Sequence, residues 1–399
     1  MNSKSYNIFT IFFIFVILEC ACSYITKSLL SGYLTLLSLL CFTSFFLVYK
    51  ERKALSLISF ITYGLLSYGL MYSYDFDLNW IIIAVLKFLP VLTLFMLPRE
   101  DLLVFKDKII RFFLILIFAS VVLYILKIIG ILLPVYEKMY WHQYEIVNYF
   151  YIYTDSVRYL SSFTGFCIET GYFSFLCICL LALEEFDLRK RTSQIFTLAI
   201  LLSMSLEGYI LLVVGIILYS ISRGENIGRT IKYFVLATTI LVISVTIVMN
   251  YNGGDNIVAE KIVERLTYDE ELGIVGNNRE SEEAAKIIDR YFYSNDVWLG
   301  IRHSKYVNVL AKYGYDVCSW RQFVIIYGAI YTIVVFVFSF LCLSKTNIKK
   351  TFPFFVIYWL DFIIHAEISS ESLFVLIIIF LLNKKTYNDV FYTNKNISI

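Results

Sequence analysis

The chain has 399 residues, of which 59% are hydrophobic and only 17% charged, with a formal net charge of +2. Soluble domains carry about 25% charged residues, so this composition excludes an ordinary soluble globule, and the near-neutral balance excludes nucleic acid as a main partner. The eight cysteines form no C-x-x-C and nearly all fall in apolar runs, which reads as small buried hydrophobes rather than a disulfide framework or a zinc site.

A membrane span needs about 20 apolar residues. In chain order, spans are predicted near 7–25, 29–49, 54–73, 78–97, 109–133 and 163–183. A compressed pair follows near 194–206 and 209–221, then 232–250, 321–343, 352–366 and 372–382. The first, within MNSKSYNIFTIFFIFVIL, resembles a signal anchor, and with no A-x-A site after it retention is expected. KERK (50–53), PREDLLVFKDK (98–108), DLRKR (187–191), SRGENIGRTIK (222–232), SKTNIKK (344–350) and NKK (383–385) are basic connectors. They fall on one side if 194–221 crosses twice, and DFD (75–77) falls on the other. Positive charge marks the cytoplasmic side. The expected fold is therefore all-α and integral to the membrane, a polytopic bundle of about twelve transmembrane helices with both termini cytoplasmic.

This divides the chain into N-terminal helices (1–134), a first external loop rich in aromatics (135–160) and central helices (161–250) with a broken pair near 194–221. A large, partly helical external loop (251–320) and C-terminal helices with a cytoplasmic tail (321–399) complete it. A connection as long as 251–320 is usually functional or disordered, and its Trp298, Trp320 and helical patterning favour a folded one. There is no P-loop, G-x-S-x-G or H-E-x-x-H.

Four stretches could carry chemistry. Glu169 interrupts the apolar SSFTGFCIETGYFSFLCICLLAL (161–183), where an ionised carboxylate needs a partner or a role. If 158–169 is helical, Arg158 stands about three turns away on the same side; Lys87 is the other candidate partner. In NNRESEEAAKIIDRYFYS (277–294), Asn277 and Glu280 resemble a capping box. The helix after them sets Arg279, Glu283, Lys286 and Arg290 on one face and Ala284, Ile288, Tyr291 and Phe292 on the other. Such a stripe is either a solvated face or a phosphate clamp, since Arg offers phosphate a planar fork. In WLGIRHSKYVNVLAKYG (298–314), His303 lies between Arg302 and Lys305 and can move a proton near neutral pH; the following helix is expected to bury Val307, Leu310 and Ala311. His142, within MYWHQY, reads as interfacial packing. Finally, LLSMSLEGYILLVVG (201–215) carries Ser203, Ser205, Glu207 and Gly208 between two short apolar runs, and a broken membrane helix is tolerated where it lines a cavity. With Glu19, Lys87, Asp361, His365 and Glu367, these polar groups suggest a cavity open to the outside.

These stretches, in this order, resemble the bacterial polysaccharide polymerases of the O-antigen and capsule (Wzy) type. RYLSSFTGFCIETGYFSFLCICLLAL is similar to their R-x-s-G-x-f-x-E-P-g-x-x-g pattern, with Thr170 in place of Pro. SLEGYILLVVGIIL is similar to their S-r-x-G-y-l-a-l segment, with Glu207 in place of Arg. In the third stretch His303, Tyr306, Leu310 and Gly314 match an H-N-x-y-l-x-l-x-x-x-G pattern that is more typical of the related O-antigen ligases, with Ser304 in place of Asn. The resemblance covers roughly residues 155–320 and implies a metal-independent, cofactor-free membrane glycosyltransferase. Its donor would be a glycan on undecaprenyl pyrophosphate, and its acceptor a sugar hydroxyl on another lipid-linked unit at the outer face of the bacterial cytoplasmic membrane. It implies catalytic roles for His303 and Glu169 and pyrophosphate-binding roles for Arg158, Arg279, Arg290 and Arg302. A chain-length regulator and a flippase are the candidate protein partners. The alternatives are a ligase-type glycan transferase and, from another class, a transporter or flippase of lipid-linked sugars, which broken helices also suit.

Overall fold

The computed structural model describes residues 3–21, 23–24, 26, 33–49, 55, 57–141, 144–156, 162–224, 228, 232, 235, 268–269, 273–274, 282–310, 320–344 and 348–364. It is mostly helical. The first half comprises α1 (Ser3–Cys20), α2 (Leu34–Val48), α3 (Leu57–Ser73), α4 (Leu78–Lys87), α5 (Leu89–Met96) and α6 (Arg99–Ile128). A four-stranded sheet follows: β1 (Glu137–Trp141), β2 (Tyr144–Tyr149), β3 (Tyr153–Ser156) and β4 (Ser162–Phe163). Then come α7 (Thr170–Leu183), α8 (Arg191–Ser203), α9 (Leu206–Ser222) and a two-stranded pair, β5 (Tyr268–Asp269) and β6 (Gly273–Ile274). The C-terminal half holds α10 (Glu282–Phe292), α11 (Asp296–Leu299), α12 (Arg302–Leu310), α13 (Trp320–Tyr327), α14 (Ala329–Ser344) and α15 (Ile348–Ile364).

The chain is a membrane protein; among the described residues two helical stretches are long and apolar enough to cross a bilayer, Leu78–Met96 and Asp101–Ile128, and the bent pair Trp320–Tyr327 with Ala329–Phe338 makes a third if it is one span. Six shorter apolar helices accompany them: Asn7–Cys20 within α1, α2, α3, α7, α9 and Thr351–Ile363 within α15. The expected twelve spans are thus met in part, and those at 232–250 and 372–382 lie outside the described residues. Several expected boundaries move for local reasons. The span read at 78–97 is met by Leu78–Met96, with a one-residue interruption at Phe88 where Pro90, in the first turn of α5, removes a backbone donor. The connector 98–108 is helical, so α6 starts well before residue 109. It also ends before 133: Gly130 (φ +87°) donates to the Lys127 carbonyl and Ile131 to that of Leu126, the pairing of a Schellman cap. The break between α8 and α9 falls where the polar residues placed it. Met204 is left-handed (φ +51°), and the Ser205 hydroxyl accepts from the Gly208 N–H at 3.2 Å. The span read at 321–343 bends by 110° between α13 and α14, at Gly328 (φ +89°).

The sheet is the main departure from the all-helical expectation, since 135–160 reads from sequence as an aromatic loop. It is an antiparallel meander in strand order. Tyr149 faces Tyr153 across a turn whose Phe150 and Tyr151 both have positive φ (57° and 59°), the twist that tight hairpins favour. Both faces of β2 and β3 are buried, whereas Glu137, Lys138 and Tyr140 of β1 are exposed. Val147, Tyr149, Tyr153 and Phe163 join the main core against α6, while Ile146 packs with Tyr24 and Ile168 on the other side. A strand buried on both faces shows no alternation of apolar and polar residues, which is the signal that would have revealed it.

In the C-terminal half, α10 buries Ile288 with Tyr291 and Phe292 beside it, as its sequence face predicts, against Ile301, Tyr306, Ile325 and Ile326. Two glycines allow this. A Cβ on Gly300 would lie 2.5 Å from the Ile326 carbonyl oxygen, and one on Gly328 2.6 Å from that of Trp298. The backbone of the 299–301 segment therefore lies directly on the α13–α14 bend, where the Ile301 N–H donates to Ile325 at 2.7 Å. Of the expected apolar face of α12, Val307 is corrected: it is exposed and Tyr306 is buried, while the Leu310 side chain and Ala311 lie outside the described residues.

Candidate functional site

Glu169 does not sit inside a membrane helix. It is the N-cap of α7, with extended backbone (φ −129°, ψ 152°); its carbonyl accepts from the Phe173 N–H at 3.2 Å, while its carboxylate makes no capping bond. The carboxylate is half-buried and has no hydrogen-bond or ion-pair partner among the described residues, so the expected pairing with Lys87 is not formed. The helical continuity expected from 158 to 169 is overturned as well, because β4 and an irregular turn occupy 162–169. The chain is diverted there by hydrogen bonds that a helix cannot make. Cys167 bridges to Ser23, and Tyr24 donates to the Phe166 carbonyl at 2.8 Å. The buried Thr154 hydroxyl meets Thr164 and Cys167, each at 2.6 Å. Arg158 and Arg279 lie outside the described residues, as do His142, His365 and Glu367. Arg290 is exposed on α10.

Arg302 and His303 come together with residues from the other end of the chain. Arg302 opens α12 in a left-handed backbone conformation (φ +67°), and its guanidinium is 2.5 Å from Asp75. Asp75 lies 227 positions away, in the turn between α3 and α4, and it too is left-handed (φ +59°). Ser304 donates a further hydrogen bond to the same carboxylate. Tyr72, the last-turn residue of α3, lies beneath the guanidinium at 5.1 Å and donates to the Leu299 carbonyl at 2.7 Å. His303 rests against Tyr74 at 5.0 Å, and Tyr74 is stacked on Trp80 with ring centres 3.5 Å apart and planes 5° from parallel. Two non-glycine residues held at positive φ on the two sides of one contact mark a place where tertiary packing overrides local preference, which is characteristic of functional sites.

The electrostatics follow from the geometry. The hydrogen bond from Arg302, then that from Ser304, hold the Asp75 carboxyl below its ordinary range, and Asp75 in turn raises Arg302. Both groups are ionised at neutral pH. Both side chains are also more than two-fifths exposed, so a solute can reach the pair. This cluster offers a cation with a planar fork, an imidazole two bonds along the chain and a wall of aromatic rings; such rings suit the apolar faces of a sugar.

Sequence reasoning found Arg302 and His303 but missed Asp75, Ser304, Tyr72, Tyr74 and Trp80. DFD served there only to mark a side of the membrane, and the structure brings it to the segment 298–304, which the sequence had set on that same side. The second missed pair is Lys127, at the end of α6, bonded to Asp155 on β3. Lys127 also lies over Tyr149 at 5.5 Å and Tyr153 at 6.0 Å. Glu19, Glu207 and Asp361 are buried inside the helical bundle rather than turned to lipid, as charged groups in a bilayer require. Among the described residues no group of three His, Cys, Asp or Glu side chains is placed to hold a metal ion. Comparison of the chain with protein-family profiles, curated proteins and solved structures gives no match.

Proposed function

We propose that this protein is a membrane glycosyltransferase that polymerises lipid-linked oligosaccharides, transferring a glycan from undecaprenyl pyrophosphate to a sugar hydroxyl of a second lipid-linked unit. The reaction would run at the outer face of the bacterial cytoplasmic membrane, with both termini in the cytoplasm. The observation that carries this reading is the seating of Arg302 and His303 on the aromatic turn of Tyr72, Tyr74 and Trp80. Glycosyl transfer from a pyrophosphate needs a group to take the acceptor proton and cations to hold the departing anion. In this scheme His303 takes the hydroxyl proton as the acceptor oxygen bonds to the anomeric carbon. The bond from that carbon to the pyrophosphate oxygen breaks, and Arg302 with the exposed Arg290 neutralises the charge that leaves. Arg158 and Arg279 join the cation set on the strength of the sequence resemblance. Glu169, at the mouth of α7 rather than within it, serves as the second acid–base group.

The test is single-turnover transfer by purified protein in nanodiscs with a defined undecaprenyl-pyrophosphate glycan. Removing a general base typically lowers rate about 10²–10⁴-fold, so His303→Ala should lose turnover on that scale while still binding donor. Glu169→Gln should lose less. A near-wild-type His303→Ala with a dead Glu169→Gln reverses their roles. A second reading, a transporter of lipid-linked sugars, is favoured by the 110° bend at Gly328 and the α8–α9 break. It gains if wild-type protein forms no glycosidic bond but moves labelled lipid-linked glycan across vesicles.

A further inference from the structure

The Arg302–Asp75 pair has the geometry of an anion site already filled by the protein's own carboxylate. Arg302 bonds one Asp75 carboxylate oxygen through one guanidinium nitrogen, Ser304 donates its hydroxyl to the other oxygen, and Tyr72 backs the guanidinium. A phosphate offers the same planar edge of acceptor oxygens with more charge, so it fits where the carboxylate sits. The pair is open to solvent on both sides, and exposed ion pairs are weak enough to be exchanged. The Tyr72 hydroxyl also joins the two segments, bonding to the Leu299 carbonyl at 2.7 Å and reaching that of Gly300 at 3.5 Å.

We propose that Asp75 is the resident counter-ion of a phosphate site built from Arg302 and Ser304: it occupies the guanidinium when no ligand is present and gives it up to a phosphate or pyrophosphate group. Exchange releases the Arg302 and Ser304 side chains from the α3–α4 turn, while the Tyr72 bond to Leu299 stays in place. The inference rests on the proposed function for its choice of ligand, but it concerns binding and is tested apart from transfer.

The experiment is equilibrium binding of inorganic pyrophosphate to the full-length protein in nanodiscs, with wild type, Asp75→Asn, Ser304→Ala, Arg302→Lys and Arg302→Gln. Removing the internal competitor should tighten binding about threefold in Asp75→Asn, in keeping with the weakness of exposed pairs. Arg302→Lys should bind more weakly than wild type and Arg302→Gln should lose the site. Arg302→Gln reports even if Asp75→Asn fails to fold, and Ser304→Ala keeps both Arg302 and Asp75. It removes a donor from both the carboxylate and the anion, and the Asp75→Asn gain should shrink on that background. Weaker or unchanged binding by a folded Asp75→Asn overturns the proposal and makes Asp75 a simple support for Arg302. Binding that survives in Arg302→Gln overturns it too. A parallel arm with a polyprenyl pyrophosphate in the nanodisc separates sources: tighter binding there assigns the site to a lipid headgroup, equal binding to the free anion. Should the variants behave as expected while wild type makes no glycosidic bond, the site stands and the polymerase reading falls.

Discussion

Two ion pairs divide this molecule into regions held in different ways. Lys127–Asp155 joins α6 to the meander, with side-chain exposures of 28% and 4%, and Tyr149 and Tyr153 close over the lysine. Arg302–Asp75 joins α12 to the α3–α4 turn, with exposures of 42% and 43%. The first is set in a two-faced core and cannot be opened without leaving a charge in an apolar place. The second can exchange its partner for solvent or solute at little cost. Burial therefore decides which contact is a fixture and which can take part in a binding cycle, although each is one carboxylate on one cation.

The sharpest way to break this comparison is to remove one member of the buried pair. Breaking a fully buried pair costs about 3–5 kcal/mol. Partial exposure of Lys127 lowers the expectation, so Lys127→Met should destabilise the protein by about 2–3 kcal/mol, read from thermal unfolding in detergent. Replacing both residues, as Lys127→Met with Asp155→Leu, should recover much of that loss, because no orphaned charge then remains. A single variant as stable as wild type would mean that the meander is not anchored through this contact.

A smaller effect is expected at Gly328. Its φ of +89° disfavours any side chain, and a Cβ would meet the backbone at Leu299 and Trp298. Gly328→Ala should cost about 1–3 kcal/mol and, more tellingly, should loosen the 299–304 segment while leaving the meander intact. Hydrogen exchange of the two regions measures both at once. Equal loosening of both regions would show that they are one cooperative unit.

The smallest effect sharpens the exposed side. The Asp75 carboxyl is held below its unfolded value of about 3.9 by Arg302 and Ser304. A depressed carboxyl contributes stability that is present above the unfolded pKa and is lost as pH falls through the folded one. Protection of the 299–304 amides should therefore be flat from pH 7 to 5 and fall only below about pH 4. Loss between pH 7 and 5 would assign the control to a different group.

Much of the helical frame was legible in the sequence. The apolar runs placed α2, α3, α9 and α15 within a few residues and the C-terminal end of α7 at Leu183, because burying apolar surface is demanded along the whole run. Ser205 ahead of Glu207 and Gly208 marked the α8–α9 break through local capping chemistry. The amphipathic face of α10, with Ile288 inward, was equally plain. Arg302 and His303 stood out as charged groups in an aromatic segment, yet their partners did not. Asp75 could not be assigned to Arg302 from a separation of 227 positions, and a hydrogen bond between distant residues leaves no periodic trace.

By itself, then, the sequence determined that this is a membrane protein, where its apolar helices lie and which residues are chemically conspicuous, since each of these follows from composition or short-range spacing. Only the tertiary structure decided that the strands from Glu137 to Phe163 form a meander, that Glu169 caps α7 instead of crossing the bilayer within it, and that Arg302 meets Asp75. The physical reason is the same in all three. A strand buried on both faces carries no alternation, the bonds from Ser23 and Tyr24 that hold the chain out of a helix ahead of Glu169 come from far along the chain, and an ion pair acquires its partner only when packing brings two turns together.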